Sequence, residues 1–175
     1  QSVARGGRLI IYPEGSTHSE SDIRRVRTGT ARIMQMAIEQ SDAEGLPAPS
    51  LIPIGLHYSE AHTFRERAAV IVERPMVLPE IPEKDGGEDN RRGWVKDVTV
   101  DIDRELKRAS HATSSWEDRR LVWRARSIVY AERARSAEQH LSKPSYAESV
   151  LGARRLRAGW EYLAKHDSEK TNEIE

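Results

Sequence analysis

The chain has 175 residues, room for one domain and an appendage, and carries 28 Lys+Arg against 28 Asp+Glu. That balance gives no electrostatic reason to expect a nucleic-acid partner. Cysteine is absent, which excludes disulfides and thiolate-held metals and is compatible with a reducing compartment. No apolar run approaches the about 20 residues that cross a bilayer, and none of these residues is expected to form a signal peptide. A chain that opens on Gln1 and enters an apolar run by Leu9 is expected to be cut at its N-terminus. A missing membrane segment therefore says little about the parent protein.

In chain order, Arg8-Leu9-Ile10-Ile11-Tyr12 is a short apolar run stopped by Pro13 and Gly15, the pattern of a strand buried in a mixed or parallel sheet. Residues 16–26 are polar and read as a loop. From Thr28, a plausible N-cap, Ile33, Met34, Ala37 and Ile38 recur at helical spacing as far as about Gln40. Gly45, Pro47 and Pro49 mark a loop. Leu51 to His57 reads as a second strand, with Pro53 near its start or edge, and Ala68 to Val72 as a third, stopped by Pro75. Strand, helix, strand, strand fits an α/β domain with a mixed sheet. Residues 79–90, rich in Pro, Gly and acid, read as a linker. Beyond Arg91 the pattern is helical. Trp94, Val98, Ile102 and Leu106 sit four apart, Ser115 with Asp118 opens a second helix, and Ser145 with Glu148 forms a capping box for a third. Residues 167–175 read as a disordered tail.

Two segments could carry chemistry. Tyr12-Pro13-Glu14-Gly15-Ser16 places a carboxylate and turn amides at a strand end, where open α/β sheets bind ligands; the same residues also fit an ordinary strand-to-loop turn. Arg24, Arg25 and Arg27 lie just before the helix that opens at Thr28-Gly29. A helix N-terminus already favours an anion, and a guanidinium suits phosphate. Arg27, beside Thr28, fits either a phosphate contact or a solvated basic loop, whereas Arg24 and Arg25 read as solvated. His57 and His62 have only Glu60 near them as a further ligand, so no metal site is expected. His18 reads as a polar loop residue. Arg154, Arg155, Arg157 and Lys165, with Trp160 and Tyr162, form either a solvated helix face or a surface for an anionic bilayer.

Taken together and in order, Tyr12 to Ser16, Arg27 to Ala31 and Ile52 to Ile54 resemble the second half of the glycerolipid acyltransferase domain. Gly55-Leu56-His57-Tyr58 and Phe64-Arg65-Glu66-Arg67 resemble its glycerol-3-phosphate and dihydroxyacetone-phosphate members. The resemblance covers roughly residues 8–78. It implies a partial mixed-sheet acyltransferase domain over 1–78, then the 79–90 linker and a helical extension over 91–166. It further implies an acceptor site at Glu14, Gly15, Ser16, Arg27 and Gly29, with Pro53 shaping its wall. The partners it implies are acyl-CoA or acyl-carrier protein, a glycerol phosphate such as glycerol 3-phosphate, and the cytoplasmic side of a membrane. No cofactor and no nucleic acid are implied.

Three departures qualify this. Thr17 stands where many members have an Arg that helps hold phosphate, Glu73 where they have a Gly, and the family's catalytic His-x4-Asp is missing. Five residues after His18, His57, His62, His111, His140 and His166 stand Ile23, His62, Arg67, Trp116, Ser145 and Thr171. In the family the His deprotonates the acceptor hydroxyl and the Asp orients it, so no catalytic residue is assigned. The chain reads as a fragment of an acyltransferase of phospholipid synthesis, inactive alone. The alternative is a non-catalytic binding module on a degenerate acyltransferase lobe.

Overall fold

A computed structural model describes residues 2–16, 18–59, 63–83 and 87–167. After a short 3-10 turn at Val3–Arg5 come α1 (Gly29–Ala43), β1 (Ile54–Tyr58), β2 (Ala68–Val72), α2 (Glu88–Ser110), α3 (Trp116–Ser136) and α4 (Tyr146–His166). The two strands pair as an antiparallel hairpin. Ser59 N–H donates to the Arg67 carbonyl at 2.9 Å and Glu73 N–H to the Pro53 carbonyl at 3.0 Å, a register that sets Leu56 opposite Val70. Contacts divide the chain into two compact units: residues 1–55 with 72–112, and residues 56–71 with 113–175. These bounds differ from the composition breaks at 78 and 91.

The first unit is built on α1 against α2. Along α1 the buried positions Thr30, Ala31, Met34, Ala37 and Ser41 recur at three and four residues, one face of a helix. Of these, Ala31 and Met34 cluster with Trp94, Val95, Val98 and Ile102 of α2, and Val26 closes the cluster. The segment expected to be a linker contributes to this core: Ile81 packs on it, as does Leu78 just before the segment, and Trp94 Nε1 donates to the Pro79 carbonyl at 3.0 Å. Its Pro and Gly residues end regular structure, but its apolar residues still seek burial. α2 then starts at Glu88, with Glu88 and Asp89 at its positive end and Lys107 and Arg108 at its negative end.

Residues 8–12 form no strand, contrary to the sequence expectation. Leu9, Ile10 and Tyr12 are 56%, 79% and 71% exposed. An apolar run marks a chain that suits a sheet, but a strand exists only when a neighbour takes its N–H and C=O groups. Among the described residues only β1 and β2 are so paired. The hairpin has a buried face and an exposed apolar face. Gly55, His57 and Ala69 are buried on one, while Ile54, Leu56, Tyr58, Val70 and Val72 are exposed on the other.

In the second unit α3 packs on α4. Ser115 Oγ accepts from Asp118 N–H at 3.0 Å, and Ser145 with Glu148 completes both bonds of the capping box. Both helix starts therefore fall where the sequence places them. Trp123 stacks on Tyr146 with ring centroids 5.7 Å apart. Among the described residues no helix is long and apolar enough to cross a membrane.

Candidate functional site

The Pro13-Glu14-Gly15 turn is fastened to the segment leading into α1 by three contacts. Arg27 N–H donates to the Pro13 carbonyl at 3.0 Å, and Arg24 N–H donates to Glu14 Oε2 at 2.7 Å. Third, Gly15 has φ +70°, and a Cβ there would lie 3.2 Å from Arg27 Nε and 3.4 Å from its Cζ. The Arg27 side chain therefore rests against the one residue in the turn that lacks a side chain. Glycine is required twice, for the left-handed backbone and for the close approach.

These contacts enclose an open cleft of about 610 Å³ lined by Glu14, Ser16, Arg24, Arg25, Val26, Arg27 and Thr28. Only Val26 is apolar, and it is anchored in the core behind. Arg24 is bound to Glu20 by bonds of 2.8 and 3.2 Å. That pairing raises its pKa, chiefly through the hydrogen bond, and lowers the pKa of Glu20 for the same reason. Arg25 and Arg27 have exposed side chains that make no ion pair with a described residue.

The cleft abuts the start of α1. The first turn of any helix has amides without intrahelical partners, and the Thr28 side chain makes no capping bond to them. Thr30, in the same turn, is buried with its hydroxyl bonded to no described group. Two guanidinium groups without an ion pair to a described residue, uncapped amides and the positive end of a helix dipole make the cleft locally electropositive in a chain of zero net charge.

The carboxylate of Glu14 has a separate arrangement. Its Oε2 lies 2.5 Å from His18 Nε2 and also accepts from Arg24 N–H, while no described group bonds Oε1. His18 Nδ1 accepts from Glu20 N–H at 3.2 Å, so in a neutral ring the proton sits on Nε2 and is donated to Glu14. With both nitrogens committed, His18 is a positioning residue. It holds Glu14 and the 18–24 loop, leaving one carboxylate oxygen to receive a hydroxyl.

Of the sequence-predicted site residues, Glu14, Gly15, Ser16 and Arg27 come together at the cleft. Gly29 is the first residue of α1, one position beyond Thr28. Pro53 is buried, its carbonyl committed to Glu73, and it does not line the cleft. Sequence reasoning missed Arg25, read as solvated, and the role of His18. The four-residue spacing from Glu14 to His18 was the available signal for the latter. Thr17 and His62 lie outside the described residues.

Two acyltransferases are distant relatives. The chain is 26% identical over 133 residues to glycerol-3-phosphate O-acyltransferase 1 of Saccharomyces cerevisiae, which covers 75% of the chain but 17% of that protein. It is 27% identical over 77 residues to an uncharacterized acyltransferase of Schizosaccharomyces pombe, covering 44% of the chain and 11% of the relative. The chain thus spans less than a fifth of the length of either. No protein-family model matches, and no solved structure does.

Proposed function

We propose that this chain is the acceptor-holding part of an acyltransferase that esterifies glycerol 3-phosphate or a related glycerol phosphate. The observation that carries the reading is the pairing, in one cleft, of two unpaired guanidinium groups at a helix N-terminus with a carboxylate oxygen free to accept a hydroxyl. A glycerol phosphate needs both. Its phosphate suits Arg27, Arg25 and the first-turn amides of α1, and its hydroxyl suits Glu14 Oε1. Both relatives are acyltransferases, and one is named for glycerol 3-phosphate. The donor would be acyl-CoA or acyl-carrier protein, and the setting the cytoplasmic face of a membrane.

Holding the acceptor is not activating it. A general base contributes about 10²–10⁴-fold, and the chain has no His followed five residues later by Asp. Residues 1–175 alone should therefore show negligible transfer. Acyl transfer to glycerol 3-phosphate by this polypeptide, abolished by Glu14→Ala, would overturn that expectation. In a longer protein supplying the His and Asp, Arg27→Ala should raise the KM for the acceptor more than that for the acyl donor. Equal effects would remove Arg27 from the phosphate role.

The missing dyad also favours a second reading, a binding module that holds a phosphate ester without acylating it. Acceptor binding accompanied by no transfer, even when a longer protein is assayed, would select that reading.

A further inference from the structure

The second unit contains a half-buried guanidinium that pairs with no carboxylate of the described residues. Arg119, in the first turn of α3, packs over the Trp116 ring at 5.3 Å and comes within electrostatic reach of Tyr146. It makes no ion pair with a described residue. Burial lowers its pKa and outweighs the opposing influence of Tyr146, itself pushed up by burial. Two carboxylates at the starts of α3 and α4 are bonded elsewhere. Asp118 is bonded to the Ser114 and Ser115 side chains, and Glu148 is spent on the capping box at Ser145. Partly buried charges without a counter-charge are costly and uncommon.

A second guanidinium converges on the same phenol from a different element. Arg67, at the foot of the hairpin, lies 5.4 Å from the Tyr146 ring centroid and is exposed to solvent. Glu66 interacts with it electrostatically but is hydrogen-bonded to Ser59 Oγ and to the Arg67 amide. Behind Tyr146 stands the Trp123 ring, which gives the site an aromatic floor.

We propose that Arg67, Arg119 and Tyr146 form a second anion site that takes a phosphate group. Arg67 is its solvent-facing arm, Arg119 its desolvated arm and the Tyr146 hydroxyl a donor between them. A phosphate supplies the counter-charge that Arg119 lacks, and guanidinium groups suit it geometrically. The phosphate can belong to a soluble ester or to a phospholipid headgroup. The site is independent of the cleft at Arg27, so either can fail without the other.

The test uses the full chain carrying Arg27→Gln, which silences the first cleft. Pyrophosphate is titrated calorimetrically, and phosphatidic acid in phosphatidylcholine vesicles is tested by co-sedimentation. At least one probe should bind, and Arg119→Met and Arg67→Gln should each weaken that binding about tenfold or more, as loss of a charged hydrogen bond does. Pyrophosphate alone binding identifies a soluble ester, and vesicles alone a headgroup; both support the site. Binding of neither probe, or binding that Arg67→Gln leaves intact, overturns it. Arg67 is exposed, so its substitution leaves folding alone. A thermal readout separates a merely structural Arg119: without anion, Arg119→Met should melt at or above the temperature of the unsubstituted chain, and pyrophosphate should no longer raise it. A lower melting temperature with the pyrophosphate response retained contradicts the proposal.

Discussion

Gly15→Ala tests the turn, the cleft and the helix entry at once. At φ +70° an L-residue incurs a steric cost of about 1–2 kcal/mol that glycine avoids. The new methyl would also sit 3.2 Å from Arg27 Nε and 3.4 Å from Cζ, inside ordinary van der Waals contact. Arg27 is exposed, so its side chain can swing away. That movement relieves the clash but withdraws the guanidinium from the cleft. The backbone cost should therefore appear as stability and the side-chain displacement as affinity. In urea unfolding followed by tryptophan fluorescence, Gly15→Ala should lose about 1–2 kcal/mol. In calorimetry its affinity for glycerol 3-phosphate should fall. Gly15→Asn adds the same Cβ, but Asn tolerates the left-handed region. It should recover much of the stability and none of the affinity. A Gly15→Ala variant within about 0.5 kcal/mol of the parent, the scatter of ordinary surface changes, and with unaltered affinity would refute the reasoning.

Other expectations are simpler. Ser145→Ala removes one bond of the capping box at 3.2 Å and should cost about 1 kcal/mol in thermal or urea unfolding. Trp94→Phe deletes the Nε1 bond to the carbonyl of Pro79, an exposed residue whose carbonyl water can serve instead; a loss of about 0.5–1.5 kcal/mol is expected, with proteolysis reporting looser packing of residues 79–83. The Glu44 carboxyl is held down at about 2 by hydrogen bonds from Arg5 first and Gln40 second. Its stabilisation is present above its ordinary value of 4.5 and lost as pH falls from there toward about 2. Glu44→Gln should therefore flatten the stability profile in that window, and an unchanged acid slope would count against the Arg5 pairing.

The helices were legible because their signals are local. A Ser three residues before an acid starts α3 and α4, and apolar residues three and four apart mark the faces of α1 and α2 that meet in the core. The strand expected at Arg8–Tyr12 was not, because pairing depends on a neighbour that no local pattern specifies. The 79–90 segment shows the reverse case. Its Pro and Gly content hid Ile81, which the core recruits together with Leu78 just before it. At the site, residue type was enough to bring Glu14 and Arg27 forward. The bonds that hold them run from backbone amides of Arg24 and Arg27 to Glu14 and Pro13, and a sequence does not display such bonds. Arg24 and Arg25 differ for the same reason. Glu20 occupies the first, while the second faces the cleft.

The central claim is that the cleft between the Pro13-Glu14-Gly15 turn and the start of α1 holds the phosphate of a glycerol phosphate. Its most direct test is calorimetric titration of the full chain with glycerol 3-phosphate and with glycerol, each against unsubstituted protein and Arg27→Ala. The account predicts saturable binding of the phosphate ester, none of glycerol, and an affinity about tenfold or more lower in Arg27→Ala. Absence of glycerol 3-phosphate binding, or binding that Arg27→Ala leaves undiminished, would contradict it.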